Sequence, residues 1–161
     1  MVRAEQNSDD DERALSRLRE LVRKKELKNS QVRERIARCA LGYEGHFTVE
    51  DLARVLRAGG LRNAHPATVY RSIPLLMEAG LIQPAPAGPG ETQRYERAFG
   101  RDHHDHLVCT RCGQLVEFHS PTLELLQEEI AKNYGFCLES HLHELRGTCS
   151  SCSRADGASA G

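Results

Sequence analysis

The chain has 161 residues, of which 39% are hydrophobic, and a formal net charge of −1. This length suits one domain or two small ones, and no stretch has the about 18 consecutive apolar residues that a membrane span needs. Because the N-terminus also lacks the apolar segment of a secretory signal, we predict a cytoplasmic protein without a membrane partner. The net charge excludes a strongly basic protein. The charge is nevertheless unevenly distributed, since residues 1–95 contain 16 Lys and Arg against 13 Asp and Glu, whereas residues 96–161 contain 6 against 10.

The first part of the chain is predicted to be helical. Residues 1–12 are polar and acidic, so we expect a disordered arm. Leucines at helical spacing predict a helix over residues 13–27, and Asn29 or Ser30 can cap the helix that follows. The basic run in the first helix is more often a solvated helix face than a DNA contact.

Two further helices fit a helix-turn-helix. Thr48 opens the third helix with Asp51 three residues on, as in a capping box. Pro66 marks the first turn of the fourth helix. Proline is tolerated there because the backbone N–H that it lacks would have no hydrogen-bond partner within the helix. A glycine-containing turn joins the two helices. The polar face of the fourth helix can contact phosphates and bases, although such a face is usually solvent surface. This face carries Thr68, Arg71 and Ser72, with Tyr70 at its edge.

Residues 81–96 form two short extended runs around a loop rich in proline and glycine. This pattern predicts a β-hairpin, and a hairpin after a helix-turn-helix makes it winged. We therefore assign residues 13–97 to a winged-helix DNA-binding domain and residues 98–102 to a hinge.

A cysteine- and histidine-rich stretch follows the hinge. Residues 102–118, DHHDHLVCTRCGQLVEF, contain three histidines and the pair Cys109 and Cys112. One such pair could consist of small core residues. A second pair, Cys149 and Cys152, completes a four-sulfur pattern, which is typical of structural zinc with no open position for a substrate. In a reducing cytosol, spaced cysteines also favour a metal over a disulfide.

The segment between the cysteine pairs is predicted to fold as strand, helix and strand. Alternating patterns mark residues 115–118 and 136–145, and a helical pattern covers 121–134. This order would return the chain beside its start. We predict an α+β protein in which residues 103–153 form a small αβ dimerisation domain with structural zinc, and residues 154–161 form a flexible tail.

Four sequence blocks carry a family resemblance: PATVYRSIPLLMEAGLI, RYE, HHDHLVCTRCG and LRGTCSSC. With them, residues 13–152 resemble the ferric uptake regulator family of bacterial metal-dependent repressors. The resemblance implies a homodimer that binds an AT-rich palindromic operator in double-stranded DNA and pairs through the sheet of its C-terminal domain. It implies an Fe(II)-dependent regulator of iron homeostasis with no small-molecule substrate, and it leaves open whether dimers pair into tetramers.

The resemblance also implies the roles of particular residues. The structural zinc site would be formed by Cys109, Cys112, Cys149 and Cys152. The regulatory metal site would be formed by His46, Glu96, His104, His106 and Glu117. An additional metal site would be formed by His103, Asp105, Glu124 and His141. The DNA contacts would be made by Thr68, Tyr70 and Arg71, with Lys24 and Lys25 reaching the backbone or the minor groove.

Residue spacing supports two separate histidine sites. Alternation along one short segment sends His103 and Asp105 one way and His104 and His106 the other way, so the segment can supply two sites. For single residues, simpler interpretations than metal binding are also open. His46 could be a surface histidine beside a helix, and the acidic neighbours of the helical residue Glu124 are typical of a solvated face.

The regulatory metal has three candidate identities. Nitrogen and oxygen ligands suit Fe(II), Mn(II) or Zn(II). The stretch CGQLVEFHSP resembles peroxide sensors, but those proteins usually have Asp where this chain has Glu117, which favours iron. Zinc sensors usually add a cysteine near the hinge, and this chain has none between Cys39 and Cys109.

A metal-dependent hydrolase is the alternative from another class of protein. It would need an open coordination position and a general base, and it would leave the winged helix unexplained. We therefore predict that the protein is not an enzyme.

Overall fold

The computed structural model describes residues 2–139 and 141–155, with side chains from Asp9 onward. Its elements are α1 Val2–Lys24, α2 Gln31–Leu41, α3 Val49–Ala58, α4 Pro66–Glu78, β1 Ile82–Ala85, β2 Arg94–Arg97, β3 Asp105–Cys109, β4 Leu115–Phe118, α5 Pro121–Asn133, β5 Glu144–Gly147 and α6 Ser150–Ala155. Within these described ranges, no helix is long and apolar enough to cross a membrane.

The chain divides into two compact units. The first unit contains the residues up to Ala85 together with Thr92–Arg101, and the second contains Pro86–Glu91 together with the residues from Asp102 onward. The break after Arg101 lies inside the stretch predicted as a hinge. The loop 86–91 between the wing strands groups with the second unit, although the sequence predicted one continuous domain there.

Helix α1 begins earlier than predicted. The prediction of a disordered arm over residues 1–12 is wrong for residues 2–12, which are helical, whereas Met1 lies outside the described residues. This segment contains several good helix formers, such as alanine, glutamine and glutamate. Its side chains also reach other helices and strands of the unit: Asp11 lies 2.7 Å from Arg97, and Glu12 lies 2.7 Å from Arg38.

The first unit has a continuous apolar core. Helices α1 to α4 and the wing bury leucine, isoleucine, valine and aromatic side chains in one cluster. The predicted capping box is present, since the Thr48 hydroxyl accepts a hydrogen bond from the Asp51 N–H at 3.1 Å and the Asp51 carboxylate accepts one from the Thr48 N–H at 3.0 Å. Helix α2 is capped by Ser30, whose hydroxyl accepts a hydrogen bond from the Arg33 N–H.

The wing is an antiparallel pair of β1 and β2 in which Gln83 lies opposite Glu96. A separate bridge joins Phe47, the residue before the N-cap of α3, to Tyr95 in β2. The Phe47 N–H donates to the Tyr95 carbonyl and the Tyr95 N–H donates to the Phe47 carbonyl, both at 2.8 Å. The predicted hairpin therefore exists, and β2 is also attached to the start of the helix-turn-helix.

The second unit is built on a sheet in the order β4-β3-β5, with β3 antiparallel to β4 and parallel to β5. The predicted strand over residues 136–145 is wrong in its bounds, because β5 covers only Glu144–Gly147. Alternation in the preceding segment does not reflect a buried face, since Phe136 is 73% exposed and Leu142 is 86% exposed. Ser140 lies outside the described residues.

Candidate metal centres and DNA-facing surface

The pairing of β3 with β5 brings the two cysteine pairs together. Cys109 ends β3 and is paired with Gly147, the last residue of β5. Two residues later the chain reaches Cys149, so this cysteine lies beside Cys109. On the other side, a turn after β3 positions Cys112, and Gly113 at φ 72° closes this turn in a backbone conformation that glycine adopts without strain.

The four cysteine sulfurs form one cluster, with all sulfur atoms within 4.8 Å of one another. The sulfurs of Cys112 and Cys149 are 3.8 Å apart. Zinc–sulfur bonds of about 2.3 Å in a tetrahedron place the sulfurs about 3.8 Å from one another. The cluster of Cys109, Cys112, Cys149 and Cys152 therefore fits a tetrahedral zinc ion, as the sequence predicts.

The protonation of the cysteine cluster is uneven. The N–H of Cys149, followed by those of Cys112 and Arg111, lowers the pKa of Cys109 to about 6. Hydrogen bonds with the side chains of Cys112 and Cys149 raise the pKa of Cys152 to about 12. Cys109 thus favours the thiolate at neutral pH, whereas Cys152 must lose its proton to solvent when a cation binds. Metal binding at this cluster therefore releases protons.

A second cluster lies in the same unit and contains His103, Asp105, Glu124 and His141, with ligand atoms within 4.8 Å of one another. Asp105 begins β3, Glu124 lies in the first turn of α5 and His141 precedes β5. The Nε2 atoms of His103 and His141 are 2.6 Å apart. Glu124 Oε1 lies 3.4 Å from His103 Nε2 and 3.5 Å from His141 Nε2, so Glu124 is not merely part of a solvated acidic face.

The buried carboxylate of this second cluster fits a cation. Asp105 is 1% exposed, and its Oδ1 atom lies 3.2 Å from His103 Nε2. Its Oδ2 atom is buried without a hydrogen-bond partner among the described residues. A buried carboxylate oxygen without a partner is costly, and a metal ion satisfies it. Two imidazole nitrogens and two carboxylates form a ligand set that suits divalent metals.

The first unit supplies one group of predicted regulatory ligands. The Phe47–Tyr95 bridge places the preceding residue, His46, beside the following residue, Glu96, and their Nε2 and Oε2 atoms are 3.2 Å apart. Gln83 Nε2 donates to Glu96 Oε1 at 2.8 Å. His46 is only 14% exposed and is therefore not a simple surface histidine.

The second unit supplies the other predicted regulatory ligands. His106 lies opposite Glu117 in the β3–β4 register, and the rings of His104 and His106 are 5.0 Å apart. His104 Nδ1 lies 3.1 Å from the Asp102 carbonyl oxygen. When Nδ1 donates this hydrogen bond, Nε2 keeps the lone pair that a metal requires. His103 therefore lies beside Asp105, and His104 lies beside His106, which is the pairing that alternation predicts.

Helix α4 presents the predicted DNA contacts. Tyr70 is 66% exposed, Arg71 is exposed and Thr68 is partly exposed. Ser72 does not lie on this face, because it is 6% exposed and its hydroxyl donates to the Thr68 carbonyl. This bond back to the preceding turn is common for serine within helices.

The two predicted lysine contacts differ in their surroundings. Lys24 ends α1 and is exposed, whereas Lys25 Nζ lies 2.9 Å from a carboxylate oxygen of Glu78 at the end of α4. A lysine that already pairs with a carboxylate contributes less to phosphate binding. Lys24 is therefore the stronger candidate of the two.

Two residues that position the first regulatory pair were absent from the predicted site. Tyr95 holds the bridge beside Glu96, and Gln83 hydrogen-bonds the Glu96 carboxylate. The predicted hairpin over residues 81–96 brings Gln83 and Glu96 into neighbouring strands, but their direct pairing is known only from the observed register. No sequence signal marks a single isolated bridge.

A winged helix-turn-helix followed by a small αβ unit with a four-cysteine cluster defines a class of zinc-containing, DNA-binding proteins. The sequence profile of the ferric uptake regulator family matches residues 24–146. The chain belongs to this family, whose members are metal-responsive transcription regulators rather than enzymes.

Relatives with known names match most of the chain. The ferric uptake regulation protein of Campylobacter jejuni is 36% identical over 139 residues, which cover 86% of this chain and 87% of that protein. The Neisseria meningitidis protein of the same name is 38% identical over 109 residues, which cover 68% of this chain and 74% of that protein.

Solved structures show the same fold. The Helicobacter pylori ferric uptake regulator, described as having three functional metal binding sites, matches with a TM-score of 0.74 and 31% identity, covering 89% of this chain and 93% of that one. The ferric uptake regulator of Pseudomonas aeruginosa with manganese matches with a TM-score of 0.69 and 30% identity, covering 80% and 95%.

Proposed function

We propose that the protein is an Fe(II)-dependent repressor of iron homeostasis that binds AT-rich palindromic operators as a homodimer. The observation that carries this proposal is the presence, in one chain, of an exposed recognition helix and two ligand chemistries. A sulfur-only cluster suits structural zinc, whereas the histidine and carboxylate groups suit an exchangeable divalent metal. A protein with both has one ion for folding and another for regulation.

The regulatory ion acts through ligands from both units. His46 and Glu96 belong to the first unit, while His104, His106 and Glu117 belong to the second. An ion that binds all of them restrains the hinge and holds two recognition helices at the spacing of two half-sites. The ion shifts this equilibrium only by its higher affinity for the state that binds DNA. The second cluster, at His103, Asp105, Glu124 and His141, binds an additional divalent metal that stabilises the dimerisation unit.

Iron is the preferred regulatory metal in this proposal. The ligands include no thiolate, and Glu117 stands where peroxide sensors usually have Asp. The relatives named above are ferric uptake regulation proteins. Zn(II) can substitute at such a site because affinity order alone favours zinc over iron, and Mn(II) can do so because nitrogen and oxygen ligands also suit it.

The homodimer is supported by an exposed apolar surface in the second unit. Leu125 and Tyr134 on and after α5 are 67% and 79% exposed, and Leu107, Val116 and Leu145 on the sheet are 42% to 45% exposed. Apolar surface of this extent marks an interaction site. In this proposal, a second copy of the chain covers this apolar surface. A symmetric dimer also suits a palindromic operator, because the twofold symmetry of the protein matches that of the DNA.

DNA recognition is assigned to the exposed face of α4. Arg71 can reach phosphates or base edges, and Tyr70 and Thr68 can contact the methyl groups of thymine in an AT-rich site. Lys24 adds a contact to the phosphate backbone, which carries no sequence information.

The test is anaerobic titration of the zinc-retaining protein with Fe(II) in the presence of a palindromic AT-rich duplex. Fe(II) should switch on duplex binding, and Arg71→Ala should abolish binding while metal content stays the same. Unchanged affinity of Arg71→Ala would remove α4 from its assigned role.

Parallel titrations separate the members of the family. Brief treatment with peroxide should leave the histidines intact if iron is the signal. Release of DNA together with histidine oxidation would make the protein a peroxide sensor, and a response to Zn(II) but not to Fe(II) would make it a zinc sensor.

A further inference from the structure

The two regulatory ligands of the first unit lie one residue away from a backbone bridge. Phe47 and Tyr95 exchange both backbone hydrogen bonds, each 2.8 Å long. This bridge lies outside the β1–β2 ladder. Two hydrogen bonds without neighbouring ladder pairs hold a strand weakly. Any further link between His46 and Glu96 therefore restrains the opening of this bridge.

The bridge fixes the start of the helix-turn-helix. Phe47 is fully buried in the apolar core, and the next residue, Thr48, is the N-cap of α3. On the other side of the bridge, Tyr95 is 8% exposed and its ring lies 6.2 Å from that of Phe47. A restraint at the bridge thus acts on both the first helix of the motif and the wing strand β2.

Tyr95 also lies under the DNA-facing surface. It lines a cavity of about 410 Å³ between the start of α3, helix α4 and the wing, together with Tyr70 and Arg71. Burial raises the pKa of Tyr95, and Tyr70 adds to this effect, as expected for two neighbouring phenols. Tyr95 therefore lies on the same groove as two residues assigned to DNA contact.

Glu96 is the fixed partner of the pair. Its carboxylate accepts a hydrogen bond from Gln83 Nε2 at 2.8 Å and lies 3.5 Å from an Arg101 nitrogen. His46 instead follows Gly45, which has a φ of 73° and so permits a turn. A metal ion shared by His46 and Glu96, whose side chains already lie 3.2 Å apart, would thus strengthen the attachment of the loop before α3 to an already ordered wing strand.

We propose that a metal ion that links His46 and Glu96 orders the DNA-facing surface directly within the first unit. Tyr95, beneath α4, is the positioning residue through which this link acts. This inference rests on the proposed function for its DNA and metal, and it adds a second route of regulation. In the first route the ion restrains the hinge. In the second route, the same ligands hold the wing against the helix-turn-helix, and this effect does not depend on the conformation of the hinge.

The test replaces the metal by a permanent ion pair. His46→Arg puts a guanidinium that stays charged at all relevant pH values beside the Glu96 carboxylate, with which it can form two hydrogen bonds. His46→Ala is the matched control, since both variants lose the histidine ligand. Both are compared as full-length, zinc-retaining protein without added regulatory metal, by binding to the AT-rich duplex and by hydrogen exchange at the Phe47 and Tyr95 amides.

We expect His46→Arg to bind the duplex about tenfold more tightly than His46→Ala, within the usual range of coupling between two sites. The two amides should also exchange about tenfold more slowly. Slower exchange with equal duplex affinity in the two variants would overturn the inference, because the link would then not reach the DNA-facing surface.

A second arm uses the unmodified protein, so that the inference does not depend on how the introduced arginine side chain packs. Addition of Mn(II) should slow exchange at the Phe47 and Tyr95 amides. If Mn(II) switches on duplex binding without slowing exchange at these amides, the inference fails while the proposed function stands. If no metal switches on duplex binding, the proposed function itself fails.

Discussion

The two units of this protein are stabilised in different ways. The first unit buries a continuous apolar cluster that includes Leu15, Ile36, Phe47, Leu52 and Leu76, all of them fully buried. In the described part of the second unit, Val108 is the only large aliphatic or aromatic side chain that is buried. The second unit instead concentrates its metal ligands, with two clusters of four ligands each.

This difference follows from size. A small unit that cannot bury enough apolar area needs metals or a partner chain to stay folded. In the first unit, the apolar core holds the exposed helix α4 in place. We therefore expect the folding of the second unit to depend on the metal ions or the partner chain that it binds.

Loss of the zinc cluster should give the largest effect. Cys109→Ser removes a zinc ligand whose pKa is lowered to about 6, and structural zinc contributes about 10–16 kcal/mol of apparent binding free energy. We expect amide protection to be lost throughout the second unit and kept in the first. Residue-resolved hydrogen exchange and zinc content measure this difference. A second unit that stays protected without zinc would show that its folding does not need the ion.

Truncation of a core side chain in the first unit should destabilise that unit and leave the second unit folded. Leu52 is fully buried in α3, and Leu52→Ala should lower the free energy of unfolding of the first unit by about 2–5 kcal/mol. Val55→Ala in the same helix is the matched control, because Val55 is 43% exposed. Denaturant unfolding with a zinc assay should show that the ion is retained. Equal effects of the two substitutions would contradict the assignment of the core.

The second cluster should show a change in metal affinity rather than in folding. Asp105→Asn keeps the side-chain shape but removes the buried charge, and affinity for added Mn(II) at this cluster should fall at least about tenfold. The metal-free protein should be no less stable, since the substitution removes a buried negative charge that is costly without a cation. Metal titration followed by thermal unfolding tests both parts, with the exposed His119→Ala as control. A metal-free variant that is clearly less stable would mean that Asp105 has a structural role.

The helix cap should give the smallest effect. Hydrogen bonds from Thr48, with a contribution from Arg54, lower the pKa of Asp51 below its ordinary value of 3.8. The stabilisation is therefore fully present above pH 3.8 and is lost as the pH falls through the lower folded-state pKa. Asp51→Ala should cost about 1 kcal/mol at neutral pH.

The pH dependence distinguishes this explanation from a simple packing defect. The stability difference between the parent and Asp51→Ala should shrink under acid conditions, as measured by urea unfolding at several pH values. A difference that is the same at every pH would mean that the charge on Asp51 does not contribute.

Sequence patterns predicted the features that depend on local spacing. The Thr48–Asp51 capping box, the wing and each of the two Cys-x-x-Cys pairs are encoded by residues close together in the sequence, and each is present. The division of His103 and Asp105 from His104 and His106 also follows from strand alternation alone.

Features that depend on tertiary contacts were not predictable in this way. The acidic composition before Arg13 predicts disorder, but Asp11 and Glu12 pair with arginines that are distant in sequence. The run over residues 136–145 alternates without a buried face to pack against. Ser72 was predicted on the polar face of α4, whereas its hydroxyl is turned inward to the Thr68 carbonyl.

Reciprocal titration tests the central claim, metal-switched DNA binding, most directly. Mn(II) is titrated calorimetrically into the zinc-retaining protein with and without a saturating AT-rich duplex. Linkage requires that DNA raise metal affinity by the same factor by which metal raises DNA affinity, and we expect a factor of about ten or more. Equal Mn(II) affinity with and without the duplex would contradict the account.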